Sequence, residues 1–286
     1  MPIGYQDPLS DPDAQIGMLP LDTLLNPLRG APPPELPLTD APLVRVMAQV
    51  RFPLIASIEK QEFIGAFQEG IRQDYPVLRP QQSRVMSLGS EGVLDTRKFS
   101  AWRFADVEND WRLTLAPDFL TLETTAYESR DAFLQRWEKA LLALDLHVSP
   151  GVVDRIGVRY IDQVVVEQPT QLASLVRPEV AGALATPLVR DARHAITESL
   201  LELPEEKGRV MARWGLVPAG QTVDPATMDS IEEASWLLDL DAFRVQSLAM
   251  DVAEIVRQTR AFAERIYSIF RWAVSDEFLR KYGGRP

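Results

Sequence analysis

The stretch Pro150 to Gln168, PGVVDRIGVRYIDQVVVEQ, reads as one long β-strand near the midpoint of the chain, and it limits the fold more than any other feature. Its centre, Arg155-Ile156-Gly157-Val158-Arg159-Tyr160, echoes an earlier stretch, Met47-Ala48-Gln49-Val50-Arg51-Phe52. Each is followed by a helix, a set of short strands and a long amphipathic helix. The pattern predicts one βαβββα unit used twice. The fold class that follows is α+β, with tandem βαβββα-like halves forming antiparallel sheets and the long helices packed on one face.

Local patterns place the elements. Val44, Val46, Ala48, Val50 and Phe52 alternate with Arg45, Met47, Gln49 and Arg51, the period of a strand, and Pro53 closes it because it has no N–H to donate. Phe63, Phe67 and Ile71, with Ile64 beside them, form one helical stripe over Ile58 to Asp74. Strands are predicted at Arg84–Leu88, Lys98–Ala105, Trp111–Ala116 and Phe119–Thr125, with Asn109 and the Pro117-Asp118 pair in turns between them. Ser129 offers an N-cap to a helix whose buried stripe is Phe133, Trp137, Leu141 and Leu144. The second pass runs from a strand at 152–166 through a weak helix near Thr170–Val176 to strands at Ala195–Leu203, Arg209–Val217 and Ser235–Phe243. A long polar loop is expected at Pro218–Glu233, and one final helix from Ser247 to Phe278, ended by Gly283-Gly284.

The domain organisation is then a Pro-rich N-terminal arm over residues 1–40, a first α+β half over 41–149 and a second over 150–286, the two halves forming one compact unit. Pro32-Pro33-Pro34 favours extended polyproline geometry, so the arm is either a flexible tail or a strap laid along the body, with a short docking helix at Leu19 to Leu28. Sheets built this way leave edge strands open, which invites either covering by the arm or a homodimer.

Composition narrows the chemistry. The net charge of −11 repels phosphate backbones and anionic membranes, so broad nucleic-acid binding is not expected. The absence of cysteine removes disulfides, thiolate metal sites and thiol nucleophiles. The opening residues, MPIGYQDPLSDPDAQIG, show no basic region ahead of an apolar run, and no apolar stretch approaches the length of a membrane span, so a cytoplasmic protein is expected.

No stretch carries a catalytic signature, and no cofactor is expected. Gly89-Ser90-Glu91-Gly92 lacks the lysine and the strand-to-helix context of a phosphate loop. His147 and His194 lie far apart, without partners for acid–base work or metal binding. Asp239 and Asp241 in Leu-Asp-Leu-Asp are weak metal candidates, because residues two apart on a strand share a face; the same spacing also describes a half-solvated strand with acids out and leucines in. Arg51 and Arg159, in Val-Arg-Phe and Val-Arg-Tyr, occupy matching places in the two halves. With Tyr160 they are ligand-binding candidates, able to approach one pocket and hold an anion, or else to pair with Asp154, Asp162 or Glu123 on a sheet face. The tryptophans Trp102, Trp111, Trp214 and Trp236 read as core or interface filling.

Three motifs together carry a resemblance. Asp40-Ala41-Pro42-Leu43-Val44, the run Leu115 to Tyr127 (LAPDFLTLETTAY) and Arg155 to Asp162 (RIGVRYID) resemble a sporadically distributed family of uncharacterised bacterial proteins of similar length. The resemblance spans roughly residues 40 to 282. Members usually show Asn where Asp162 stands. It implies no activity, cofactor or catalytic residue; its patchy distribution suggests exchanged genes such as toxin–antitoxin, immunity or phage-defence modules.

Taken together, the residues point to a non-enzymatic protein-binding module, an accessory, antitoxin or immunity-like component whose partner is another protein encoded nearby, steered by the acidic surface. The alternative is a small-molecule-binding or enzymatic pocket between the halves, lined by Arg51, Arg159 and Tyr160 with Asp239 and Asp241. Alanine at Arg159 is expected to separate the two readings with the fold intact.

Overall fold

The computed structural model describes residues 26–89 and 92–286, with the backbone alone for 81–99. Nine strands form one sheet: β1 (Leu43–Arg51), β2 (Val77–Gly89), β3 (Gly92–Ala105), β4 (Trp111–Ala116), β5 (Phe119–Thr124), β6 (Val152–Val165), β7 (Ala195–Leu203), β8 (Gly208–Val217) and β9 (Ser235–Ala249). Their order across the sheet is β2-β3-β4-β5-β1-β6-β9-β8-β7. Every neighbouring pair is antiparallel. The two echoing strands therefore lie side by side at the centre, β1 backed by β5 and β6 backed by β9.

Four helices of more than one turn accompany the sheet among the described residues: α1 (Gln61–Ile71), α2 (Arg130–His147), α3 (Val252–Ala273) and α4 (Asp276–Lys281). Alternation along the strands sends Val46, Ala48, Val50, Ile156 and Val158 into one buried cluster with Phe67 of α1, Phe133, Trp137 and Leu141 of α2, and Ile255, Phe262 and Ile266 of α3. On the opposite face Ile161, Val217 and Leu237 form a smaller cluster under Met228 and Val223 of the long loop 218–234.

Local chemistry accounts for the boundaries. Ser129 caps α2, its hydroxyl accepting from the Ala132 N–H at 3.2 Å. Ser247, expected to start the last helix, lies instead on β9, which runs to Ala249; Asp251 caps the helix, accepting from the Glu254 N–H at 3.1 Å. The expected single helix to Phe278 is two. Val274 is extended and bridges to Val176, and Ser275 starts α4 by accepting from the Phe278 N–H. β2 is longer than the expected Arg84–Leu88: it starts at Val77 and includes Pro80, which sits on an edge strand where a missing donor is tolerated. The weak helix near Thr170–Val176 is a one-turn helix at Leu172–Leu175, followed by further single turns to Arg190.

The described part of the arm lies along the body. The Arg265 side chain of α3, 3 % exposed, donates to the Pro27 and Gly30 carbonyls and to Glu205 and Glu206 in the β7–β8 turn. The Tyr267 hydroxyl accepts from the Leu36 N–H at 2.7 Å and donates to the Pro34 carbonyl. The Asp40 N–H donates to the Tyr282 carbonyl, and Thr39 packs so close to Gly283, at φ +82°, that no side chain fits there. Most of the expected docking helix at Leu19 to Leu28 lies outside the described residues.

Candidate functional site

The face of the sheet opposite α2 and α3 is surfaced by arginines and carboxylates. β6 supplies Arg155, Gly157 and Arg159, two apart and so on one side of the strand. β9 supplies Asp239 and Asp241 on the same side, as the Leu-Asp-Leu-Asp alternation requires, with Leu238 and Leu240 buried on the other.

Two rows of contacts run across the strands. In the first, Arg159 grips Asp239 with two prongs, Nε to Oδ1 and Nη2 to Oδ2, both at 2.7 Å, and its remaining Nη1 donates to Asp224 of the long loop at 2.8 Å. Arg213 of β8 donates to the same Asp239 at 3.0 Å and to Glu198 of β7 at 2.8 Å. In the second, Arg155 donates to both oxygens of Asp241, at 2.9 and 3.2 Å, and to the side-chain Oε1 of Gln49 on β1, whose Nε2 donates to the Thr121 hydroxyl of β5. Farther across, Arg45 and Arg112 share Glu123, each at 3.4 Å.

Gly157 explains how Arg155 reaches. A Cβ at Gly157 would stand 2.7 Å from an Arg155 Nη, so the missing side chain leaves the guanidinium room to lie flat along the strand. From there it also covers the Phe243 ring at 4.9 Å. The Arg-x-Gly-x-Arg spacing of the central motif is thus a two-arginine platform with a cleared floor.

The electrostatics follow the contacts. Burial disfavours the Asp224 carboxylate, but hydrogen bonds from Arg159 and Thr227 prevail and hold its pKa below the ordinary value. Burial pushes Asp241 up, and Arg155 offsets only part of that. Desolvation opposes the Arg159 charge, yet the bonds to Asp239 and Asp224 leave it more firmly protonated than a free arginine.

The sequence candidates separate in space. Arg51 pairs with Asp118 at 2.7 Å, four residues along the central ladder from the level of Arg159, since Arg51 stands opposite Arg155 and Met47 opposite Arg159. That places the two arginines roughly 13 Å apart along the strands. Both are taken by carboxylates, though not by the expected Asp154, Asp162 or Glu123. Tyr160 points to the helix side, where its hydroxyl lies 3.3 Å from that of Tyr127 and desolvation raises its pKa well above the ordinary value. The three do not line one pocket. Asp239 and Asp241 do share a face, but each answers an arginine, and among the described residues no group of three or more His, Asp or Glu side chains is placed to hold a metal ion.

Three of the other candidates make structural contacts. Trp102 donates to the Ile58 carbonyl at 2.6 Å, Trp111 lies under Arg136, and His147 packs against Gly70 of α1. Clefts of about 220 Å³, beside Arg209 and Phe243, and about 230 Å³, beside Trp111 and Arg136, fall below the usual volume of a small-molecule pocket. Sequence reasoning passed over Arg155, Arg213, Gln49 and Asp224; the Arg-x-Gly-x-Arg spacing was the available signal for the first.

No helix among the described residues is long and apolar enough to cross a membrane. Compared with protein-family models and with curated proteins, the chain matches none, so the resemblance noted above rests on its motifs alone.

Proposed function

We propose that the protein is a non-enzymatic binding module that receives a protein partner on the open face of its sheet, in the manner of an accessory, antitoxin or immunity-like component of a bacterial defence or toxin system. The observation that carries this reading is the platform itself: guanidinium groups held at fixed angles by carboxylates, with apolar side chains set among them. Val245, opposite Arg155, is 71 % exposed; Leu200, opposite Met211, is 51 % exposed. Arginine, methionine and aromatic side chains are the types enriched where proteins meet. General acid–base work needs an uncommitted group, whereas Arg155, Arg159, Arg213, Asp224, Asp239 and Asp241 at the centre of the platform are engaged with one another. The acidic surface as a whole would steer a basic partner, and the alternating charges of the platform would select its orientation.

The pocket alternative draws less support, because Arg51 and Arg159 are occupied and Tyr160 faces away. The arrangement of β1 and β6 instead favours the duplicated βαβββα unit. The echo sets Val50-Arg51-Phe52 against Val158-Arg159-Tyr160, and therefore Gln49 against Gly157. Gln49 and Gly157 stand directly opposite each other in the β1–β6 ladder, as a two-fold axis relating the halves would require. Each half then presents its matching arginine on the same face, equally far from the axis, and the first half carries one strand more. The binding platform is the surface the two copies make together.

Native mass spectrometry of the tagged protein purified from its own host tests the reading. A second protein in fixed stoichiometry is the expected result; a lone chain carrying a small bound mass would overturn it in favour of a pocket.

A further inference from the structure

The sheet ends at β7, and among the described residues the outer edge of that strand is open. β7 pairs with β8 without a register shift over Ala195–Leu203, and no backbone hydrogen bond among the described residues reaches its other side. The usual devices that blunt an edge are missing: these nine residues, AITESLLEL, contain no proline, lysine or glycine, and the strand has no bulge. The opposite edge, β2, carries Pro80. The acids of β7 do not guard its edge either, since Glu198 and Glu202 are paired inward with Arg213 and Arg209 of β8. The strand is also held firmly. The turn that follows it is pinned through Glu205 and Glu206 to Arg265 of α3. A rigid, unguarded edge is a template for another strand.

We infer that β7 pairs antiparallel with β7 of a second copy of this chain, about a two-fold axis at Ser199, so that two sheets become one. The charge pattern selects that occupant and that register. An axis at Glu198 sets Glu198 against itself, and an axis at Leu200 sets Glu198 against Glu202; like charges directly opposite are unfavourable. With the axis at Ser199 all nine residues pair, Glu198 faces Leu200 of the other copy and Glu202 faces Ile196. The two half-exposed Leu200 side chains then become diagonal neighbours on the open face, within reach of each other. A symmetric strand pair of this kind is self-complementary, as a closed dimer requires. The inference differs from the proposed partner in its contacts, which are backbone pairs along the strand edge; Leu200 borders the platform as well, so the test uses the purified chain alone, where no partner contributes.

Sedimentation velocity over a concentration series, on the full chain, tests it with two substitutions at one site. Leu200→Glu places like charges opposite each other twice in each dimer, and Leu200→Lys places opposite charges there. The expected result is a dimer for the parent chain, a dissociation constant weakened at least about tenfold by Leu200→Glu, and one unchanged or tightened by Leu200→Lys. Leu200 is half exposed, so both variants should keep the parent melting temperature, and a melt recorded alongside confirms that each is folded. A parent chain that stays monomeric throughout overturns the inference, and so does a dimer on which both charges act alike.

Discussion

Arg159 and Asp239 meet across β6 and β9 in a fork-to-fork ion pair, two contacts of 2.7 Å between groups whose side chains are only 14 % and 4 % exposed. Two charges that far from water depend on each other, because removing one leaves the other desolvated and unanswered. The pair also anchors the long loop, through Asp224, to the middle of the sheet.

The platform arginine is therefore structural as well as exposed to one side. Arg159→Ala strands Asp239, with only Arg213 left to answer it, and frees Asp224. The expected cost is on the order of 3 kcal/mol, read as a lower urea midpoint with an unchanged slope. Arg159→Lys keeps the charge but loses the fork and should fall between. The expectation that alanine at this site spares the fold does not survive the geometry, so the substitution cannot by itself separate a pocket from a docking surface.

Asp162 supplies a pH signature. It lies on the helix side of β6, 7 % exposed, with no hydrogen bond or ion pair among the described residues, and burial pushes its pKa up to about 7. The folded-state value stands above the unfolded one, so its contribution to stability is present in full below about pH 4 and is lost as the pH rises through 7. Asp162→Asn removes the titration. Against the parent it should show little difference near pH 4, a growing advantage up to pH 7 and a constant one above, reaching a few kcal/mol. Thermal melts of both proteins across that range measure it.

The strap is held by side-chain contacts that can be removed singly. Tyr267→Phe deletes the acceptor for the Leu36 N–H and the donor to the Pro34 carbonyl. A cost of about 1 kcal/mol is expected, with faster amide exchange at Leu36 and no change at the central strands β1 and β6. Equal loss of protection throughout the molecule would show that the strap and the body unfold as one.

Much of the architecture was legible because its signals are local. Alternation marked β1 and β6, Ser129 announced α2, and the turn at Pro117-Asp118 separated β4 from β5. The reading failed where a local signal was overruled from a distance. The helix expected from Ser247 starts later, because β6 extends β9 past that residue by pairing Val152 with Ala249. The site was legible in part for the same reason. Arg159, Asp239 and Asp241 could be named from spacing, since faces alternate along a strand. Their partners could not, because the pairing of Arg159 with Asp239 depends on the register between strands far apart in sequence, and Asp224 comes from a loop with no period at all. Tyr160 was set beside Arg159 by adjacency in the sequence, although adjacent strand residues point to opposite faces.

The central claim is that the open face of the sheet holds the partner, and a pair of matched substitutions tests it most directly. Val245→Asp introduces a charge on the platform at a site 71 % exposed, and Leu146→Asp introduces the same charge on the outer side of α2 at a site 76 % exposed. Both should leave the fold intact. The measurement is the amount of stoichiometric partner that co-purifies with each from the native host. The account predicts that Val245→Asp loses the partner while Leu146→Asp keeps it. Retention by Val245→Asp, or loss on Leu146→Asp alone, would contradict it.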